Sequence, residues 1–86
     1  MTLSTYPIEQ STALVAADLC LINLEVVRES TSLNVRECAL LTATIHCELL
    51  EAYAKQEGAD PLASATATEL RSTIATARRY LDGDLN

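Results

Sequence analysis

The chain has 86 residues, 49 % of them apolar but none of them Phe or Trp, and a net charge of −6 from twelve acidic and six basic side chains. That length holds one small domain and no second core. The acidity argues against non-specific nucleic-acid binding, which needs Lys and Arg to release counterions, and against an anionic membrane surface. Two Gly and two Pro are too few for a β fold with frequent tight turns, so the composition favours helices. Cys20, Cys38 and Cys47 form an odd set without CxxC spacing, each in an apolar helical context. They read as small hydrophobes in a reduced, cytoplasmic compartment. Met1–Gln10 has neither a basic stretch nor an apolar run, unlike a signal peptide.

The expected architecture is all-α: a single helical domain over residues 1–86, with helices at about 7–29, 35–57 and 61–81. Thr2–Tyr6 reads as loosely ordered. Pro7 suits a first helical turn, with Ser11 as an alternative N-cap. Helix 1 carries two apolar stripes, Leu14–Ala17–Leu21–Leu24 and Val15–Leu19–Ile22–Val26, which face away from each other at about 100° per residue. Ala16, Cys20 and Val27 fill one gap between the stripes. Ser11, Asp18, Glu25 and Glu29 form a polar strip in the other. A helix apolar nearly all round is covered by neighbours on several sides. Its apolar run reads as too short for a membrane span and is interrupted by Asp18, Asn23 and Glu25.

Ser30–Thr31–Ser32 breaks helix 1, and the short link makes helix 2 its antiparallel neighbour. Asn34–Glu37 reads as a variant capping box, with Leu33 and Cys38 spaced as a hydrophobic staple. The expected core face of helix 2 is Val35, Cys38, Leu41, Thr42, Ile45, Leu49 and Ala52, with Leu40, Cys47 and Leu50 extending the arc. Glu37, Thr44, Glu48, Glu51 and Lys55 make the solvated side. Gly58 is a natural terminator. Asp60–Pro61 restarts the chain as N-cap and first helical residue. Helix 3 has a narrow stripe of Ala63, Ala67, Leu70, Ile74, Ala77 and Leu81 and ends at Asp82-Gly83-Asp84.

His46 and Cys47 invite a metal or a nucleophile, but they lie about 100° apart on one helix. Zinc needs three or four converging ligands. The sequence therefore assigns no catalytic residue, metal or cofactor, and reads as a non-enzyme. A small helical metal or redox protein using His46 and the cysteines is the reading of a different class. Arg71, Arg78 and Arg79 are half of the basic residues. They complement the negative end of helix 3, or they form a docking patch for an acidic partner. Asn23 either fills a solvent gap or, if buried, fixes register between subunits.

The expected function is a small non-enzymatic protein–protein interaction module, an adaptor, regulator or inhibitor. Secretion-type chaperones and phage-like inhibitors of host complexes are the analogous classes. The expected partner surface is Val15, Leu19, Ile22, Asn23 and Val26, covered by a second copy in a homodimer, with Leu14–Ala17–Leu21–Leu24 packed on the core face of helix 2.

Overall fold

The computed structural model describes residues 7–83 as three helices, α1 (Gln10–Glu29), α2 (Leu33–Ala54) and α3 (Pro61–Leu81), with no strand among the described residues. Thr2–Tyr6 and Asp84, read above as a loose start and part of a stop, lie outside them. α1 and α2 run antiparallel, since Ala13 and Ala17 share a cleft with Leu50 and Tyr53. α3 returns antiparallel to α2 and parallel to α1. α2 is the middle helix, packed along both others, whereas α1 and α3 touch much less. The chain is thus an up–down–up three-helix bundle.

Local chemistry moved three helix ends from their expected places. α1 starts at Gln10, not Pro7, with the extended Glu9 before it. The Ile8 N–H donates to Gln56 Oε1 at 2.6 Å, and Gln56 Nε2 donates to the Ile8 carbonyl at 3.0 Å. This pairing ties the Ile8 backbone to the end of α2 rather than to a helical turn. α2 starts two residues early: Ser32, not Asn34, is its N-cap, and Ser32 Oγ accepts from the Val35 N–H at 3.3 Å. The turn before it is tied by Ser30, whose Oγ accepts from the Ser32 N–H and whose carbonyl accepts from Arg36 Nε. α2 ends at Ala54 because the Lys55 and Gln56 amides turn back to Ala52 and Tyr53, a tightening of the last turn. Gly58, at φ +81°, then takes the left-handed conformation that a side chain disfavours. α3 starts as read, with Asp60 Oδ1 accepting from the Leu62 N–H at 2.9 Å.

The core is built from small residues. Ala13, Ala16, Cys20 and Val27 of α1 are buried; Ala39, Leu40, Ala43, Cys47, Leu50 and Tyr53 are their counterparts on α2. Ala63, Ala67, Leu70 and Ile74 of α3 complete it, along the stripe expected from sequence. For α1 the buried face is the gap between the two stripes, and neither stripe. For α2 the expected core face is turned outward: Val35, Cys38, Leu41, Ile45 and Ala52 are exposed, while Leu40, Cys47 and Leu50 are core. The reason is geometric. Alanine and cysteine faces let helices approach at the short end of the usual 8–10 Å spacing, and close approach gives many contacts at little side-chain entropy cost.

Two tests follow from this packing. Ser32→Ala is expected to cost about 1 kcal/mol of stability and Asn34→Ala little, read from denaturant midpoints; the reverse order would restore the Asn34 capping box. Ala43→Leu, at a fully buried position, is expected to cost about 1–3 kcal/mol by overpacking, against a near-neutral Ala52→Leu on the outer face.

Candidate interaction surfaces

Two apolar surfaces remain on the outside, and both are made of stripes visible in the sequence. On α1, Val15 and Ile22 are exposed and Leu19, Asn23 and Val26 half-buried, all on the flank beside α2. The shallow cleft between the helices is lined by Asn23, Val26, Val35, Cys38 and Thr42. At 100° per residue, Val35, Cys38, Thr42, Ile45 and Leu49 continue the same face on α2, with Leu41 at its outer edge. The side of the α1–α2 hairpin turned away from α3 therefore carries two aliphatic stripes side by side. Its exposed aliphatic residues range from 46 % (Val35) to 61 % (Leu41) exposed.

The second surface is a groove between the parallel helices α1 and α3. Leu14 and Leu21, expected against helix 2, instead stand exposed on its α1 wall, with Ala17 and Leu24 half-buried below them. The stripe misses α2 because the smaller Ala13–Ala16–Cys20 face occupies that contact. Opposite are Leu62, 70 % exposed, and Tyr80, 45 % exposed. A cavity of about 600 Å³ opens at the C-terminal end of the groove, between Leu21, Leu24 and Val27 and Thr76, Ala77 and Tyr80. A smaller one of about 190 Å³ lies at the other end, between Leu14 and Ala17 and Leu62 and Thr66.

The rims are acidic. Asp18 and Glu25 stand on the exposed side of α1 between the two surfaces, Glu48 borders the hairpin face on α2, and Glu69 borders the groove on α3. Arg28 is tied to Glu25 at 2.9 Å and to Glu29 at 3.8 Å. Asp18, Glu48 and Glu69 form no ion pair among the described residues.

Two of the three arginines bind carboxylates of the neighbouring helix, a role beyond capping α3 or forming a docking patch. Arg71 donates through Nε and Nη2 to Glu51 at 3.1 and 2.5 Å, and Arg78 donates through both terminal nitrogens to Glu37 at 3.1 and 3.0 Å. Arg78 also lies 3.5 Å from Asp82. Arg71 and Arg78 therefore clamp α3 onto the charged side of α2, and Arg79 alone stands outside these pairs. The signal was in the sequence: Glu37, Thr44 and Glu51 recur every seven residues, as do Arg71 and Arg78. The charged edge of α2 is the seam with α3. Arg36 adds a link, its guanidinium 5.8 Å from the centre of the Tyr80 ring.

His46 and the cysteines do not converge. His46 Nδ1 lies 2.8 Å from the Thr42 carbonyl of its own helix, and no group of three His, Cys, Asp or Glu that could hold a metal occurs among the described residues. Asn23 likewise turns inward on its own helix, its Nδ2 donating to the Leu19 carbonyl at 2.8 Å. Cys20 and Cys47 are buried, whereas Cys38 is exposed on the hairpin face, unlike the apolar setting expected for all three. Burial first, then the nearby Cys47, pushes the Cys20 thiol up to about 11, against the opposing pull of Arg71. Burial, then Glu51, raises Cys47. A nucleophilic or redox thiol needs the opposite shift.

α1 is also longer than its reading as a membrane span allowed. Its 20 residues make it, by length and composition alone, long and apolar enough to cross a bilayer. Asp18 stands near the helix centre, where each carboxylate costs about 2.5–3.5 kcal/mol on insertion.

A disulfide-exchange reagent at pH 8 is expected to modify Cys38 rapidly and Cys20 and Cys47 only on unfolding; three fast thiols would contradict the core. The Arg71 hydrogen bonds hold the Glu51 carboxyl below its ordinary 4.5, against the opposing effect of burial. The stability this pair contributes is present above the unfolded-state value and is lost as pH falls through the lowered one. Glu51→Gln is expected to flatten that acid limb and to cost up to about 1 kcal/mol at pH 7. An unaltered pH profile would separate Glu51 from Arg71. No known protein family, curated protein or solved structure matches the chain.

Proposed function

We propose that the protein is a small, non-enzymatic interaction module of the cytoplasm, an adaptor, regulator or inhibitor acting by binding another protein, and that its α1–α2 face holds two copies together as a homodimer. The observation that carries this reading is the pair of aliphatic stripes side by side on that face. The exposed aliphatic side chains alone leave on the order of 400–500 Å² in water, where a monomer rarely shows a contiguous patch above a few hundred. Two helices about 30 Å long and roughly 20 Å wide together offer a surface of the size a stable dimer buries, about 800 Å² per partner.

The opposing effect is charge. A second copy brings acidic rims against acidic rims and a charge of −6 against −6. Rim charges are worth a few tenths of a kcal/mol each and are screened within about 10 Å at 0.1 M salt. Each aliphatic side chain removed from water contributes about 1.5–3 kcal/mol. Burial wins, and the repulsion leaves a signature: dimerisation tightens as salt rises.

Light scattering at 50 and 500 mM salt tests this. The wild type is expected to be dimeric, with the lower dissociation constant at the higher salt. Ile22→Glu with Ile45→Glu is expected to give a monomer of unchanged helicity, since neither residue belongs to the core. A strictly monomeric wild type from micromolar to near-millimolar concentration overturns the dimer.

A further inference from the structure

The hairpin face suits a broad, flat partner, and the α1–α3 groove does not. It is concave, one helix wide, and walled by two parallel helices whose exposed residues recur at heptad spacing: Leu14 and Leu21 on α1, Thr73 and Tyr80 on α3. From Leu14 to Arg28 it runs about 21 Å at 1.5 Å per residue. Its two cavities lie in line along that length, so an occupant placing side chains in both must be extended along the helix direction. We propose that this groove is the docking site of the module for an amphipathic helix of a partner protein, one with an apolar stripe flanked by Lys and Arg. The proposal rests on the reading of the chain as an interaction module, and names the partner chemistry.

Shape favours a helix. A single helix laid between α1 and α3, antiparallel to both, fills the groove as the fourth member of an antiparallel bundle. Its large side chains at i, i+3 and i+7 would meet Leu14 and Leu21 on one wall and Leu62 and Tyr80 on the other. A second copy has no free helix to offer, because α1, α2 and α3 each turn their small-residue face into their own core.

Charge selects the flanks. Asp18 and Glu25 line the α1 rim and Glu69 the α3 rim; of the nearby cations, Arg28 is already held by Glu25 and Glu29, and Arg36, beside Tyr80, donates to the Ser30 carbonyl. The chain's single Lys, Lys55, caps the C-terminal end of α2 beside the other seam of α3, with Glu51 and Ser64. A helix with acidic flanks meets like charge on both rims; one with basic flanks meets complementary charge on both. Thr66, Thr73 and Thr76 give the walls hydroxyls that tolerate the edge of an apolar stripe.

The probe is a synthetic 18-residue helix, about 27 Å long, with Leu at heptad a and d positions and Lys and Arg at e and g. Its partner probe is identical except for Glu at e and g. Binding is read by fluorescence anisotropy and by NMR shift changes, using wild type, Leu21→Gln/Leu62→Gln and the monomeric Ile22→Glu/Ile45→Glu variant. The basic probe is expected to bind wild type and the monomeric variant alike, to shift resonances of Leu21, Ala77 and Tyr80, and to weaken with salt. The Leu21→Gln/Leu62→Gln variant is expected to lose at least tenfold in affinity while keeping its helicity and its dimer. Equal affinity for the two probes, equal binding to wild type and the groove variant, or shifts confined to Val15, Ile45 and their neighbours would overturn the proposal. The salt response runs opposite to that of dimerisation. Failure of the groove with an intact dimer is thus distinct from failure of the dimer.

Discussion

The close approach of α1 and α2 through alanine and cysteine is the contact on which the rest of this structure depends. Ala13, Ala16 and Cys20 of α1 and Ala39, Ala43 and Cys47 of α2 are all buried, with Val27, Leu40, Leu50 and Tyr53 as the larger core side chains of the two helices. A chain without Phe or Trp cannot build its core from a few large buried rings. It gains contact by bringing helix surfaces together instead. Because the small residues take the contact, the large aliphatic ones are displaced to its flanks. Both outer apolar surfaces are consequences of that one choice.

Electrostatics then sets how α3 sits. Its apolar stripe is narrow and its contact with α1 thin, so burial alone positions it weakly around α2. The pairs Arg71–Glu51 and Arg78–Glu37 lie seven residues apart on α3 and fourteen apart on α2, and run in opposite chain directions. Each pair is partly exposed and worth about 1 kcal/mol or less. Together they fix the rotation and register of α3 against α2, and so determine which of its residues face α1. Leu62 and Tyr80 overhang the groove because the arginine edge is held on the other side.

On the function proposed above, the two surfaces divide the work of an interaction protein. The flat α1–α2 face has the area that self-association needs, and the α1–α3 groove has the shape and rim charge to take a single helix. They share α1, which explains why this helix is apolar on so many sides. Its polar strip of Asp18 and Glu25 separates the two surfaces and keeps them from merging into one sticky patch. The negative charge, which opposes the proposed dimerisation at low salt, also opposes indiscriminate association of a chain with this much exposed aliphatic surface.

The amino-acid pattern alone determined the helices, their order and the antiparallel hairpin, because 3.6-residue periodicity and the Asp60–Pro61 cap are local signals. It also located both stripes of α1 and the aliphatic stripe of α2. It also picked the inward face of α3, but it could not determine which side of α1 and α2 faces inward. Hydrophobicity ranks Val35, Leu41 and Ile45 above Ala39, Ala43 and Cys47, and that ranking placed the wrong face of α2 in the core. Two helices in contact gain from surface fit as well as from apolar area, and fit exists only between partners. The same holds for Arg71 and Arg78, whose charge match with Glu51 and Glu37 becomes an interaction only when α3 lies against α2. The N-cap of α2 was decided by the turn around Ser30 rather than by the Asn34 pattern. Identity and spacing along the chain gave the parts; the choice of inner face came from the tertiary contact between small residues.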